Sequence, residues 1–182
     1  MALPHYTQSK ASINKYEPVH PNLFEVTVLA PFQPDAALIL EHVRSIGGLQ
    51  NVNVSVDPVV QKYKWADRSY AGMPSQTFVD LTVNFTLNLN DANQMYIYKT
   101  FKQWHDLIYN TATGDMGLKV DYEGTLVVTQ FNREGDIFRT LTFKHAFPTG
   151  QPQLLDELNY DSPEPAEMAI TFRSDHWIEQ LT

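Results

Sequence analysis

Residues 77–88, TFVDLTVNFTLN, alternate with a period of two. Val79, Leu81, Val83, Phe85 and Leu87 fall on one side; Asp80, Thr82, Asn84, Thr86 and Asn88 fall on the other. This is the pattern of a strand with one buried and one wet face. Its polar side carries no Lys, no Arg and a single acid. Residues 22–30, NLFEVTVLA, repeat the pattern on Phe24, Val26 and Val28 and close at Pro31. Residues 49–57, LQNVNVSVD, repeat it on Val52, Val54 and Val56 and stop at Pro58. A second extended run follows over 59–65, with Lys62 and Lys64 opposite Tyr63 and Trp65. Residues 67–76, DRSYAGMPSQ, have no period and read as a loop. Two longer runs, 125–131 and 137–147, flank Asn132-Arg133-Glu134-Gly135-Asp136 and stop at Pro148. Strand-like runs around a short Gly-bearing loop predict a hairpin. A last strand over 167–173 turns Met168, Ile170 and Phe172 inward and runs into Ser174-Asp175-His176-Trp177.

The period changes to helical in one place. Ile97, Phe101, Trp104 and Ile108 form a stripe, with Lys99, Lys102, Gln103, Asp106 and Asn110 opposite. Asp91 stands where a helix cap is needed and Gln94 where a capping box wants it. The stripe reads as core, with an aromatic ligand platform at Phe101 and Trp104 as the alternative. A shorter helix is predicted from Pro34-Asp35, with Ala36, Ile39, Val43 and Ile46 as its apolar stripe and Gly47 at its end. The apolar run 36–40 also fits a strand. The expected fold is mostly β: an antiparallel sandwich or barrel of roughly seven strands with one flanking helix. A single domain over 22–182 follows an extended arm over 1–21, which holds Pro4, Pro18 and Pro21. The acidic stretch 151–165 reads as a surface excursion, because burying its charges would be costly.

Composition narrows the function. A chain of 182 residues that is 43% hydrophobic and 12% aromatic can bury a real core and is not disordered. No apolar run reaches the length of a membrane span, and the first residues lack a secretory pattern. The absence of cysteine excludes disulfides and thiol chemistry. A net charge of −8 makes the chain a poor candidate for gripping nucleic-acid backbones. The six histidines are not spaced as a metal pair. Asp175-His176 and His105-Asp106 are only sequence neighbours, and neighbours on a strand point to opposite faces, so neither pair reads as catalytic. Asp156-Glu157 reads as a solvated charge cluster, and the glycosylation sequon at Asn84-Phe85-Thr86 needs a secretory route. No phosphate loop or hydrolase motif is present. The residues predict no enzyme, no catalytic or metal site and no cofactor.

Four patches together resemble the tail tube proteins of contractile-tailed bacteriophages, a family similar to the tube proteins of bacterial contractile injection machines. They are Pro21-Asn22-Leu23-Phe24-Glu25-Val26; residues 68–72 followed by 77–85; residues 91–108 with Phe101 and Trp104; and the hairpin through Phe147-Pro148-Thr149 to 168–172 and Asp175-His176-Trp177. Their order and spacing cover most of residues 21–178. The departure is 33–48, read here as a capped helix where the family is more extended. The resemblance implies a structural protein of the virion tail, assembled in the host bacterial cytoplasm. It implies six copies joining their sheets edge to edge into a ring-wide β-barrel, and rings stacking into a hollow tube. The implied partners are further copies of the chain, the contractile sheath protein, and baseplate and tail-terminator proteins. Double-stranded DNA would pass through without specific binding.

A conduit should carry no cations that hold phosphates. The expected lumen-facing residues are therefore Asn53, Ser55, Asp80, Thr82, Asn84 and Thr86, the other reading being the outer solvent face of a sandwich. Asp67, Arg68 and Tyr70, with the N-terminal arm, are the expected contacts between rings. Two alternatives stand beside this reading. One is the tube or tube initiator of an injection system. The other is a monomeric carbohydrate-binding module that uses Tyr63, Trp65 and Tyr70 as a sugar platform.

Overall fold

The computed structural model describes residues 19–32, 34, 36–87, 89, 95–153 and 165–182. Residues 1–18 of the expected arm over 1–21, the caps at Asp35, Asp91 and Gln94, and the carboxylates Asp156 and Glu157 lie outside the described residues. The described residues are mostly β, with few helices, and the sheets are antiparallel.

In chain order the elements are β1 (Phe24–Leu29), α1 (Ala36–His42), β2 (Val43–Gly47), β3 (Val54–Lys62), β4 (Asp67–Gln76), β5 (Val79–Thr86), α2 (Tyr96–Ile108), α3 (Lys119–Tyr122), β6 (Gly124–Phe131), β7 (Ile137–Pro148), β8 (Glu167–Ser174) and β9 (His176–Leu181). Strand β7 joins two sheets. Its first part pairs with β6 and β9 in the order β1-β6-β7-β9, and its end pairs with β8 in the order β7-β8-β5-β2. The change of sheet falls at His145, whose backbone has φ 55. There the β6 register skips from Thr125↔Lys144 to Gly124↔Ala146, and Phe147 then pairs with Arg173. A bulged residue that re-aims a long strand is how one strand serves two sheets.

The core lies where the two inner faces meet. Val26, Val28, Leu126, Val128, Leu141 and Phe143 come from one sheet, and Leu81, Val83, Phe85, Ile170 and Phe172 from the other. Helix α2 adds Ile97, Phe101 and Trp104, all buried, while Ile108 is only half-buried at the helix end. Phe101 lies 5.0 Å from Phe85 and 5.7 Å from Phe172 between ring centroids. Trp104 Nε1 donates to the Tyr122 carbonyl at 2.7 Å, which satisfies the one polar atom of that buried ring. Ile97, Phe101 and Trp104 thus lie in the core.

Four sequence expectations are corrected. The helix predicted through Ile46 ends at His42, and Val43–Gly47 forms β2 against β5. Val43 and Ile46 are three apart, which mimics a helical stripe, but β-branched residues beside a free sheet edge extend instead. The strand predicted over 49–57 starts only at Val54, after a 3-10 turn at Leu49–Asn51. It does not stop at Pro58: β3 continues to Lys62, and Pro58 sits beside a bulge where the register skips Asp57. The predicted loop 67–76 is strand β4, paired with β3 along its length. A ninth strand, β9, follows the predicted last one.

Candidate functional site

By the alternation of β5, the side chains opposite the core are Asp80, Thr82, Asn84 and Thr86. Register places them beside β8 and β2. Asp80 faces Arg173, Thr82 faces Thr171, Asn84 faces Ala169 and Ser45, and Thr86 faces Glu167. The result is a largely polar face across β8, β5 and β2, with Ala169 on β8 and Phe147 on β7 as its apolar positions. Four of the six expected lumen residues are brought together on it. Asn53 and Ser55 are not: Asn53 stands exposed just before β3, and Ser55 is exposed on β3, in the separate two-stranded sheet.

The polar side chains of this face bond to one another. Arg173 grips Asp80 side-on, Nε to Oδ1 at 2.7 Å and Nη2 to Oδ2 at 2.7 Å. The Thr82 and Thr171 hydroxyls are 3.1 Å apart. Asn84 Nδ2 donates to Ser45 Oγ at 2.8 Å, and Thr86 Oγ1 donates to the His42 carbonyl at 3.3 Å. Arg44 pairs with Glu167 at 2.8 Å. The Arg173 guanidinium holds the Asp80 carboxyl below the usual carboxylate range, against the opposing effect of partial burial. The pair raises Arg173 in turn. The expectation of a face without Lys or Arg holds for β5 alone, since its neighbours supply Arg44 and Arg173.

Among the described residues, the sheet ends in edges that are largely unpaired, with Thr149 bonded to the Thr171 carbonyl beside β8. β2 pairs with β5 on one side only. Beyond β8, a groove of about 550 Å³ runs between Ala169–Thr171 and the segment 149–153. Unpaired edges present rows of backbone donors and acceptors to another chain.

The hairpin β3–β4 is exposed on both faces. Trp65 at its turn is 88% exposed and Met73 is 89% exposed, and Val59, Val60, Tyr63 and Tyr70 are also open. The expected contact residues Asp67, Arg68 and Tyr70 stand on β4, facing Lys62, Gln61 and Val59. Arg68 lies over the Tyr63 ring at 5.8 Å. The Tyr63 hydroxyl donates to Gln61 at 2.9 Å and lies 3.4 Å from that of Tyr70, which pushes its titration up. A two-stranded ribbon without a covered face is marginal alone. Its root is fixed by Gln76, whose Nε2 donates to the Trp177 carbonyl and whose Oε1 meets His176 Nδ1 at 3.0 Å.

Among the described residues, no group of His, Asp and Glu could hold a metal ion, and no helix is long and apolar enough to cross a membrane. No family model and no curated protein matches the sequence. Solved structures match its fold. The chain superposes on a chain of the anti-feeding prophage tube-terminating cap with a TM-score of 0.60 at 15% identity, covering 92% of this chain and 93% of that one. A chain of the sheath–tube complex of the extracellular contractile injection system PVC gives 0.57 at 17% identity, covering 96% and 97%. The sheath/tube terminator of the same system gives 0.57 at 16% identity, covering 91% and 98%. This is the tube-protein fold. The tube-protein likeness spans nearly the whole chain, so the hairpin β3–β4 and both sheets belong to that fold rather than to an added module.

Proposed function

We propose that this protein is the structural subunit of a hollow tube in a contractile assembly. Copies join edge to edge into six-membered rings, with the β2 edge of one copy entering the groove beside β8 of the next. The observation that carries this reading is the four-stranded sheet β7-β8-β5-β2, whose outer face is polar along β5 and which, among the described residues, is open along β2 and beside β8. With about four strands from each of ~six copies at ~4.8 Å spacing, the wall measures roughly 35–50 Å between backbones, depending on strand tilt. That leaves a bore wide enough for duplex DNA or a folded effector. The face of Asp80, Thr82, Asn84 and Thr86 lines this bore. Rings stack through the β3–β4 hairpin, whose apolar residues need a second copy to cover them. A sheath surrounds the tube, and a baseplate and a terminator close its ends. The protein works as a structural part and not as an enzyme.

The setting has two readings. A phage tail is the first, with DNA as the cargo and the virion as the location. A specific observation favours the second, an injection-system tube: the structural matches at 0.57–0.60 are components of the PVC system and the anti-feeding prophage.

Cross-linking tests the ring. The chain has no cysteine, so each introduced thiol pair reports one contact. Within one copy, residues 45 and 169 both flank Asn84 on separate strands, too far apart to bridge. A panel combining Ser45→Cys with Ala169→Cys or Gln151→Cys should therefore give a ladder of linked copies that ends at six. Linkage confined to dimers, or none in any pair, would contradict edge-to-edge closure.

A further inference from the structure

The polar face of the four-stranded sheet carries two arginines, although a conduit for an anionic cargo should offer no free cation. Each arginine is met by one carboxylate on the same face. Arg173 is held by both oxygens of Asp80, and Arg44 by Glu167. Between these two ends the rows are neutral, and their donors are turned onto neighbours: Thr82 with Thr171, and Asn84 on Ser45. The charge on the face therefore sums to zero, in a chain whose net charge is −8.

A side-on carboxylate takes the same two-pronged geometry of the guanidinium that a phosphate would use. A passing phosphate must displace an intramolecular partner already seated at 2.7 Å. A salt bridge on a half-exposed surface adds little to stability, so its place here is better explained by what it hides.

We propose that Asp80 and Glu167 are specificity-determining residues that mask Arg173 and Arg44, so that the wall does not retain phosphate-bearing polymers. This inference rests on the reading of the face as the conduit lining. Without Asp80, every copy around a ring would expose one guanidinium, and the ring would act as a multivalent phosphate clamp.

The test uses a labelled single-stranded 30-mer oligonucleotide and follows its fluorescence anisotropy against the full-length protein over a salt series. The variants are Asp80→Ala, the double variant Asp80→Ala/Arg173→Gln, Glu167→Ala and Glu167→Ala/Arg44→Gln. The wild type is expected to bind weakly at ~50 mM salt. Asp80→Ala should bind at least about tenfold more tightly, and that gain should vanish as salt is raised to ~200 mM. The double variant should return to the wild-type value, and the Glu167 and Arg44 set should behave in the same way. A merely structural cross-strand pair would not give a salt-dependent gain that is cancelled by removing the arginine.

No gain in Asp80→Ala overturns the proposal, and so does a gain that persists in the double variant. Electron microscopy of the same samples scores rings and tubes independently. Tubes without a gain in binding defeat the masking alone, whereas a gain without rings or tubes tells against the conduit.

Discussion

Gly124, at the start of β6, has the ring of Trp104 in place of a side chain of its own. A methyl group there would lie 2.6 and 2.8 Å from two Trp104 ring carbons and 2.5 Å from the Leu29 carbonyl oxygen. Neither the backbone nor a ring packed on Phe101 and Phe172 can yield cheaply. Gly124→Ala is expected to destabilise the fold by about 1–3 kcal/mol, and Trp104→Ala by about 3–5 kcal/mol, each read from urea unfolding. Asp80 gives a second residue-scale expectation. Its carboxyl is held down by Arg173 in the folded chain, so the contribution of the pair is complete above the carboxyl's value in the unfolded chain. That contribution is lost as pH falls through the lower folded value. The stability difference between wild type and Asp80→Asn should be flat from neutral pH to about 5 and should shrink below about 4. It is small throughout, because both groups are nearly half exposed. A difference that grows on acidification would contradict the pairing. The side of β5 that Asp80 occupies is legible from alternation alone. Its partner is not, because Arg173 arrives from a strand ninety-three positions later and only register brings the two together.

At the scale of elements, legibility follows how local the stabilising pattern is. The β6–β7 hairpin, β5 and the α2 stripe each carry their own period and a covered face, and each is plain in the sequence. β4 carries neither. Its Gly72 and Pro74 are turn residues by type, yet Gly72 is required by the strand: in the bulge where Gly72 and Met73 oppose Asp57, a Cβ at Gly72 would lie 2.2 Å from the Asp57 carbonyl oxygen. The same bulge lets Pro58 stay in β3, and so residues that signal a break serve a bent ribbon. β2 is short, and β9 has only Trp177 and Ile178 half-buried, so neither shows a clean alternation. The ribbon β3–β4 lies outside the core and should be dispensable for folding. Replacing residues 55–75 by a short Gly-Ser turn should leave the unfolding transition nearly unchanged while rings fail to stack, measured by circular dichroism and electron microscopy on one preparation. Loss of the folded core in that variant would show that the ribbon is part of the fold's support and not a contact arm.

For the whole molecule, the decisive features are its sheet edges and the charge-balanced face of β5 and its neighbours. Its acidic surplus keeps separate copies soluble, while the open edges of β2 and β8 and the uncovered ribbon favour association with further copies. The two tendencies balance differently with salt, so ring and tube formation should increase as screening rises from about 10 mM to 150 mM salt. Light scattering follows this directly, and a decrease over the same range would mean that attraction between charges, not edge pairing, holds the copies together. Edge closure and stacking are properties of several copies, which a pattern along one chain cannot carry; the open edges mark only where they would begin. The most direct measurement is electron microscopy of the purified protein across a concentration series at near-physiological salt. Hollow tubes or six-fold rings of one width, with the β5 polar face turned to the bore, are the expected result. Rings with that face turned outward, or monomers at every concentration and salt, would contradict the conduit.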